Sequence, residues 1–257
     1  QIFQTSDQNV YIIDFGLSKN WKDDKGKHQF FGNMFYRGTD IVPWSGRSGT
    51  SYSQMEIIEG RKLVAHRSVF VKFPLLDRQN ENLLVWTTTP WTLTSNVAAA
   101  VNIGLDYVKL RASDGSIYYF AEENLEFKRL DKQFKDKKQW IKDIPKLKTL
   151  EQLFNERGGY SILETIKGSQ MLDWKYSGPF DDFKASNTAG GYPFANDSLK
   201  EEGITAVDCH RVIDGGKDNL GQDIVVSGEG TGIVHIATGC GAIDNKIGKK
   251  ESLVEIA

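Results

Sequence analysis

Residues 83–101 read Leu-Leu-Val-Trp-Thr-Thr-Thr-Pro-Trp-Thr-Leu-Thr-Ser-Asn-Val-Ala-Ala-Ala-Val. The apolar run Leu83 to Trp86 predicts a buried strand, which delivers Thr87, Thr88 and Thr89 in succession. Pro90 has no N–H to give to a ladder, so pairing stops there. Thr92, Thr94, Ser95 and Asn96 follow before a second apolar run, Val97 to Val101. Every buried hydroxyl or amide needs a partner, so a core has little use for so many neutral donors and acceptors together. A site that holds a polar, non-phosphate group without charging it would use them. On composition alone the plainer reading, a Thr-rich strand and turn on a sheet surface, is favoured, because Thr suits strands.

The 257 residues allow one or two domains with a sizeable core. A formal net charge of −2 implies no global attraction to nucleic acid. Two cysteines, Cys209 and Cys240, exclude a disulfide scaffold and a four-Cys zinc site; each reads as a small core or loop residue in a reducing compartment. No apolar run approaches the ~20 residues needed to span a bilayer, and there is no initiator Met or signal-peptide pattern. The expectation is a cytoplasmic protein or a fragment of one, away from membranes.

Strand signals dominate the first half. Residues 67–76 alternate as a half-buried strand, and the turn 77–80 joins them to the Thr-rich strand. Tyr107 to Leu110 and Ile117 to Phe120 flank Ser113-Asp-Gly-Ser, a hairpin signal. Residues 121–158 read as the helical part, with nine Lys/Arg against three Asp between Lys128 and Lys148. That run is a solvated helix face or, on the sharper reading, a contact for phosphates. Thr149-Leu-Glu-Gln152 is a capping box, with Leu150, Leu153 and Phe154 on one face and Gly158-Gly159 as the stop. Residues 159–200 read as loop-rich, with a mobile Gly-rich stretch from Asn187 to Pro193. Strands are expected again at Thr205 to Ile213 and Asp223 to Val226.

Trp-Thr-Thr-Thr-Pro-Trp-Thr-Leu with Ser-Asn, at 86–96, resembles the threonine-rich peptide of isoleucyl-tRNA synthetase editing domains. The stretch 229–248, Glu-Gly-Thr-Gly-Ile-Val-His-Ile-Ala-Thr-Gly-Cys-Gly-Ala-Ile-Asp-Asn-Lys-Ile-Gly, resembles the second signature of that domain, Gly-Thr-Gly-x-Val-His…Gly…Asp. Tyr36-Arg-Gly-Thr, Pro43-Trp, Gly49-Thr, Ser53 and Glu56 resemble the ribbon leading into it, and Leu172 to Asp182 resembles its Tyr-x-x-Pro-Phe turn. The resemblance covers about residues 35–250. It implies an α+β fold, the β-barrel-like editing domain of class I valyl, leucyl and isoleucyl enzymes with peripheral helices. The division expected is a non-matching segment 1–34, a β-ribbon 35–60, an editing domain 61–250 and a tail 251–257.

The activity so implied is hydrolysis of valine from misacylated tRNA(Ile), an ester hydrolase needing no cofactor. The implied partners are that charged tRNA and, in a full-length parent, the rest of the synthetase; the chain is expected to be a monomer. Asp244 matches the carboxylate that anchors the substrate ammonium. Thr88, Thr92 and Asn96 match groups that orient ester and water, and His235 matches the histidine beside the pocket. Trp86, Thr87, Thr89, Gly232, Gly239 and Gly241 are expected to contact the substrate. The other histidines, 28, 66 and 210, match no motif. No metal is expected, because Ser45 and Ser48 stand where many relatives place a Cys-x-x-Cys pair.

Three positions depart from the family pattern: Thr94 and Thr238 stand where Pro is usual, and Ile243 where an acidic residue is common. His-Ile-Gly-His and Lys-Met-Ser-Lys-Ser, the ATP-site motifs, are absent, so this chain by itself would not activate an amino acid. The competing expectation is an inactive tRNA-binding or gene-fusion remnant. Asn9 to Lys19 resembles the Asp-Phe-Gly segment of casein-kinase-like kinases, with Asp14 at the metal-holding position. Only 13 residues precede Asp14, too few for the loops a kinase needs. It reads as an incidental strand from Val10 to Phe15 or as a fused remnant.

Overall fold

The computed structural model describes residues 2–4, 10–12, 43–60, 67–127, 148–218, 220–228 and 230–257. The Asp-Phe-Gly segment, the start of the ribbon at 36–39, His28, His66 and the basic stretch 128–147 lie outside the described residues. The chain divides into two compact units, 1–39 and 40–257. In the first, β1 (Ile2–Gln4) pairs antiparallel with β2 (Val10–Ile12).

The second unit opens with a ribbon, β3 (Trp44–Ser45) against β4 (Thr50–Ser51), and α1 (Gln54–Glu59), capped reciprocally by Ser53 and Glu56. Then come β5 (Val69–Pro74), β6 (Glu81–Thr87), a 3₁₀ helix over Pro90–Ser95, β7 (Ala98–Val101), β8 (Asp106–Ala112) and β9 (Ile117–Ala121). After them follow α2 (Leu150–Glu156), β10 (Tyr160–Lys167), β11 (Gly191–Tyr192), α3 (Asp197–Glu201), α4 (Ala206–Cys209) and β12 (Val212–Asp214). The unit ends with β13 (Val234–Ile236), α5 (Ala242–Lys250) and β14 (Glu255–Ile256). The fold is α+β.

The sheets explain the apolar runs. A five-stranded sheet has the order β10-β8-β9-β6-β5, with β6 parallel to β9 and the other pairs antiparallel. Strand β6 is covered on both faces. Leu83 and Val85 join one cluster with Phe73, Tyr107 and Tyr119, while Leu84 joins another with Val108, Phe120, Leu150 and Phe154 of α2. A strand buried on both sides has no polar alternation to show, hence the continuous run. The same holds for β7, centre of a three-stranded sheet ordered β12-β7-β13. Ala99 and Val101 face the first cluster, and Ala98 and Ala100 face a third with Ile213, Val225, Ile236, Ile247 and Val254. Period-two alternation of small residues thus lets two cores close on one strand.

Four expectations are corrected. Thr205 to Ile213 is not one strand. Thr205 caps α4, its hydroxyl accepting from the Asp208 N–H while Asp208 accepts in return, and a capping box overrides strand propensity. Asp223 to Val226 makes only an isolated bridge, Lys217 to Asp223. The loop-rich reading of 159–200 missed β10, an edge strand paired to β8 with a bulge between Ile162 and Glu164; its mostly exposed side chains give no burial pattern to read. The stretch expected to be mobile holds β11, parallel to β14.

Residues 251–257 are therefore no tail. Leu253, Val254 and Ile256 are buried, and the Thr238 hydroxyl donates to the Val254 carbonyl at 2.8 Å. Proline at 238 would lose that tie. We expect Ile256→Ala to cost about 2–5 kcal/mol, the range for emptying a buried aliphatic position. Glu164→Ala, on the exposed edge strand, should stay within about 0.5 kcal/mol. Urea titration of both variants checks the contrast.

Candidate active site

The Thr-rich segment and the second signature meet at a cavity of about 310 Å³. One wall is the end of β6 and the 3₁₀ helix: Trp86, Thr87, Thr88, Thr89 and Thr92. The other is Gly230 to His235 with Ala237, Cys240 and Asp244, and Ile224 to Val226 add an apolar patch. Two glycines let these walls approach. A Cβ on Gly230 would lie 2.7 Å from the Trp86 ring, and one on Gly232 would collide with the Ala121 side chain; both have positive φ, 57° and 70°.

The hydroxyls form a connected chain. Thr87 Oγ1 is 3.3 Å from Thr89 Oγ1, which is 3.2 Å from Thr92 Oγ1, which is 3.1 Å from His235 Nε2, 143 positions away in sequence. With the Thr92 proton on the Thr89 carbonyl at 2.8 Å, Thr92 Oγ1 is left to accept from His235 Nε2–H at the other side. In that arrangement the ring is the Nε2–H tautomer, with the lone pair on Nδ1, which is buried and without a hydrogen-bond partner among the described residues. Burial alone pushes the His235 pKa down to about 4, so the ring is neutral near pH 7.

Asp244 stands in the first turn of α5, behind the N-cap Gly241. Its Oδ2 accepts from the Ala237 N–H at 3.0 Å. Burial raises its pKa and the Ala237 N–H opposes the rise. Among the described lining residues it is the one carboxylate, and no Lys or Arg lines the cavity. The site is thus suited to a cationic head group and a neutral polar body.

Of the residues expected at the site, Trp86, Thr87, Thr88, Thr89, Thr92, Gly232, His235 and Asp244 line the cavity together, and Asn96, Gly239 and Gly241 do not. Asn96 is committed to the core. It accepts from the Tyr176 hydroxyl at 2.8 Å and donates to the Ala98 carbonyl at 3.0 Å, and its own carbonyl sits 3.2 Å from His210 Nε2. Gly239 has no room for a Cβ against the Ile256 carbonyl, a backbone-packing role. The apolar patch Ile224 to Val226 was missed as lining; its hydropathy was the available signal. Cys240, read as a small core or loop residue, is an exposed free thiol on the cavity.

No family model matches the chain. Two curated relatives are isoleucine-tRNA ligases. That of Saccharolobus islandicus is 29% identical over 250 residues, 97% of this chain and 19% of the relative. That of Clostridium acetobutylicum is 33% identical over 247 residues, 95% of this chain and 18% of the relative. By sequence, this chain is a homologue of the isoleucyl-tRNA synthetases. It spans about a fifth of the length of the curated relatives it matches. Among solved structures, the editing domain of the Plasmodium knowlesi (P. knowlesi) cytosolic leucyl-tRNA synthetase aligns with a TM-score of 0.41 at 15% identity, covering 72% of this chain and 62% of that one. Among the described residues, no helix of this synthetase homologue is long and apolar enough to cross a membrane.

The depressed His235 pKa is a stability statement. Between about pH 4 and 6.5 the unfolded chain binds a proton at this residue that the folded chain does not. Its contribution is complete above 6.5 and is lost as pH falls toward 4. His235→Asn should remove up to about 3 kcal/mol of pH dependence from that window. His210, also lowered by burial, titrates in both proteins and cancels in the difference. Urea melts at a series of pH values measure it.

Proposed function

We propose that this chain hydrolyses the ester of valine misattached to tRNA(Ile), the post-transfer editing reaction. The observation that carries the reading is the meeting of the Thr-rich segment and Asp244 on one cavity. Water attacks the ester carbonyl carbon, the bond to the ribose oxygen breaks, and that oxygen takes a proton, leaving valine and free tRNA. Asp244, ionised, anchors the ammonium group and so fixes where the carbonyl sits. Thr87, Thr88, Thr89 and Thr92 supply hydroxyls for the ester and the attacking water. His235 donates through Nε2 to Thr92 and holds it in place; being neutral, it puts no charge against the substrate ammonium. Ile224 to Val226 and Ile233 offer the valine side chain an apolar wall. No cofactor or metal enters this scheme. The tRNA partner, the parent synthetase, a cytoplasmic setting and a monomeric state belong to the same proposal.

Asp244→Asn keeps an acceptor for the Ala237 N–H and removes the charge. We expect deacylation of Val-tRNA(Ile) to fall about 30- to 1,000-fold, the loss of roughly 2–4 kcal/mol of positioning in a water-depleted site. The melting temperature should stay within a few degrees. Because burial raises its pKa, the acid limb of the rate profile should lie above the ordinary carboxylate value of 3.8, with activity lost as pH falls through it. An active parent whose Asp244→Asn variant deacylates at the same rate contradicts the assignment. A parent without activity supports the inactive-remnant reading.

A further inference from the structure

The glycine-rich wall needs something to hold it. Gly228, Gly230 and Gly232 all have positive φ, 73°, 57° and 70°, and glycine loses more backbone freedom on ordering than any other residue. Polar side chains from β8 and from the turn after β9 hold them. Asn124, fully buried at the end of the turn after β9, accepts the Gly228 N–H on Oδ1 at 2.8 Å and donates from Nδ2 to the Gly230 carbonyl at 3.1 Å. Only one orientation of the amide satisfies both bonds. Tyr107, on β8, donates its hydroxyl to the Gly232 carbonyl at 2.7 Å and accepts the Asn102 N–H at 2.9 Å. The Ala121 N–H donates to the Thr231 carbonyl at 2.8 Å.

We infer that Asn124, with Tyr107, is a positioning residue that sets the second wall of the cavity and thereby its discrimination between amino-acid side chains. Neither residue lines the cavity, so each acts through the backbone it holds. Gly230 rests against the Trp86 ring and Gly232 against Ala121, so a shift of either glycine moves Ile233 and His235 with respect to the threonines opposite. A difference of one methylene between substrates is worth only about 1–3 kcal/mol to a pocket, and a wall displaced by a fraction of an ångström erodes a margin of that size. The discrimination part rests on the editing reading; the latch itself does not.

The test uses the whole chain and two variants. Asn124→Asp is isosteric, keeps the acceptor for Gly228 and turns the Gly230 contact into two facing acceptors; Tyr107→Phe removes one hydroxyl. The first readout is amide hydrogen exchange resolved along the chain. Exchange should quicken at least about tenfold across 228–236 while α2 and α5 stay protected, since opening there is local. Unchanged exchange at 228–236, or equal acceleration everywhere, overturns the latch. The second readout is the ratio of Val-tRNA(Ile) to Ile-tRNA(Ile) deacylation. Loss of folded protein lowers both rates alike and leaves the ratio untouched, whereas a displaced wall should shrink it about fivefold or more. An unchanged ratio in an active protein with faster local exchange overturns the role in discrimination. If the parent proves inactive, the editing reading fails by itself, and exchange alone decides the latch.

Discussion

The structure depends on a close approach that only missing side chains allow. The Trp86 ring, one residue before the end of β6, lies 2.7 Å from where a Cβ on Gly230 would be, and Ala121, the last residue of β9, would collide with one on Gly232. Two backbone segments remote in sequence therefore pack at van der Waals contact. The five-stranded sheet supplies Trp86 and Ala121, and the three-stranded sheet continues from Gly232 into β13. Without that approach the cavity would be a broad groove, and the threonines would face water instead of His235.

The polar groups on that contact are arranged to stay neutral. The Thr87, Thr89 and Thr92 hydroxyls satisfy one another and the Thr89 carbonyl, so this partly buried row of donors and acceptors carries little desolvation cost when the cavity is unliganded. His235 is held neutral by burial and pointed by its bond to Thr92. The formal charge then falls to Asp244, at the positive end of a helix of nine residues. One carboxylate among neutral hydroxyls is a recogniser of amino groups, and it leaves no attraction for phosphate inside the cavity.

Much of this was legible in the residues. The two apolar runs around the threonines became β6 and β7, the Ser113-Asp-Gly-Ser signal became the β8–β9 hairpin, and Thr149 capped α2 as its pattern required. Threonines, His235 and Asp244 could be placed together because two long motifs point to one domain. What failed did so for stated reasons. Strand β10 is held by backbone bonds with its side chains exposed, so it left no hydrophobic period. The carboxyl-terminal strand is too short to show alternation, and only tertiary contact buries Leu253, Val254 and Ile256. Asn96 stands in the right motif yet turns its amide into the core, because Tyr176 and the Ala98 carbonyl satisfy it there. Asn124 and Tyr107 carry no motif at all; only the fold shows what they hold.

The central claim is that residues 87–92 and 234–244 form one binding site for an aminoacyl group. The most direct measurement is an NMR titration of the labelled chain with a non-hydrolysable, amide-linked valyl-adenosine. The account predicts that amide shifts change together at Thr87 to Thr92 and at Val234 to Asp244, saturating with a single dissociation constant. Shifts confined to one of the two segments, or clustered on the remote turn between β5 and β6, would contradict it.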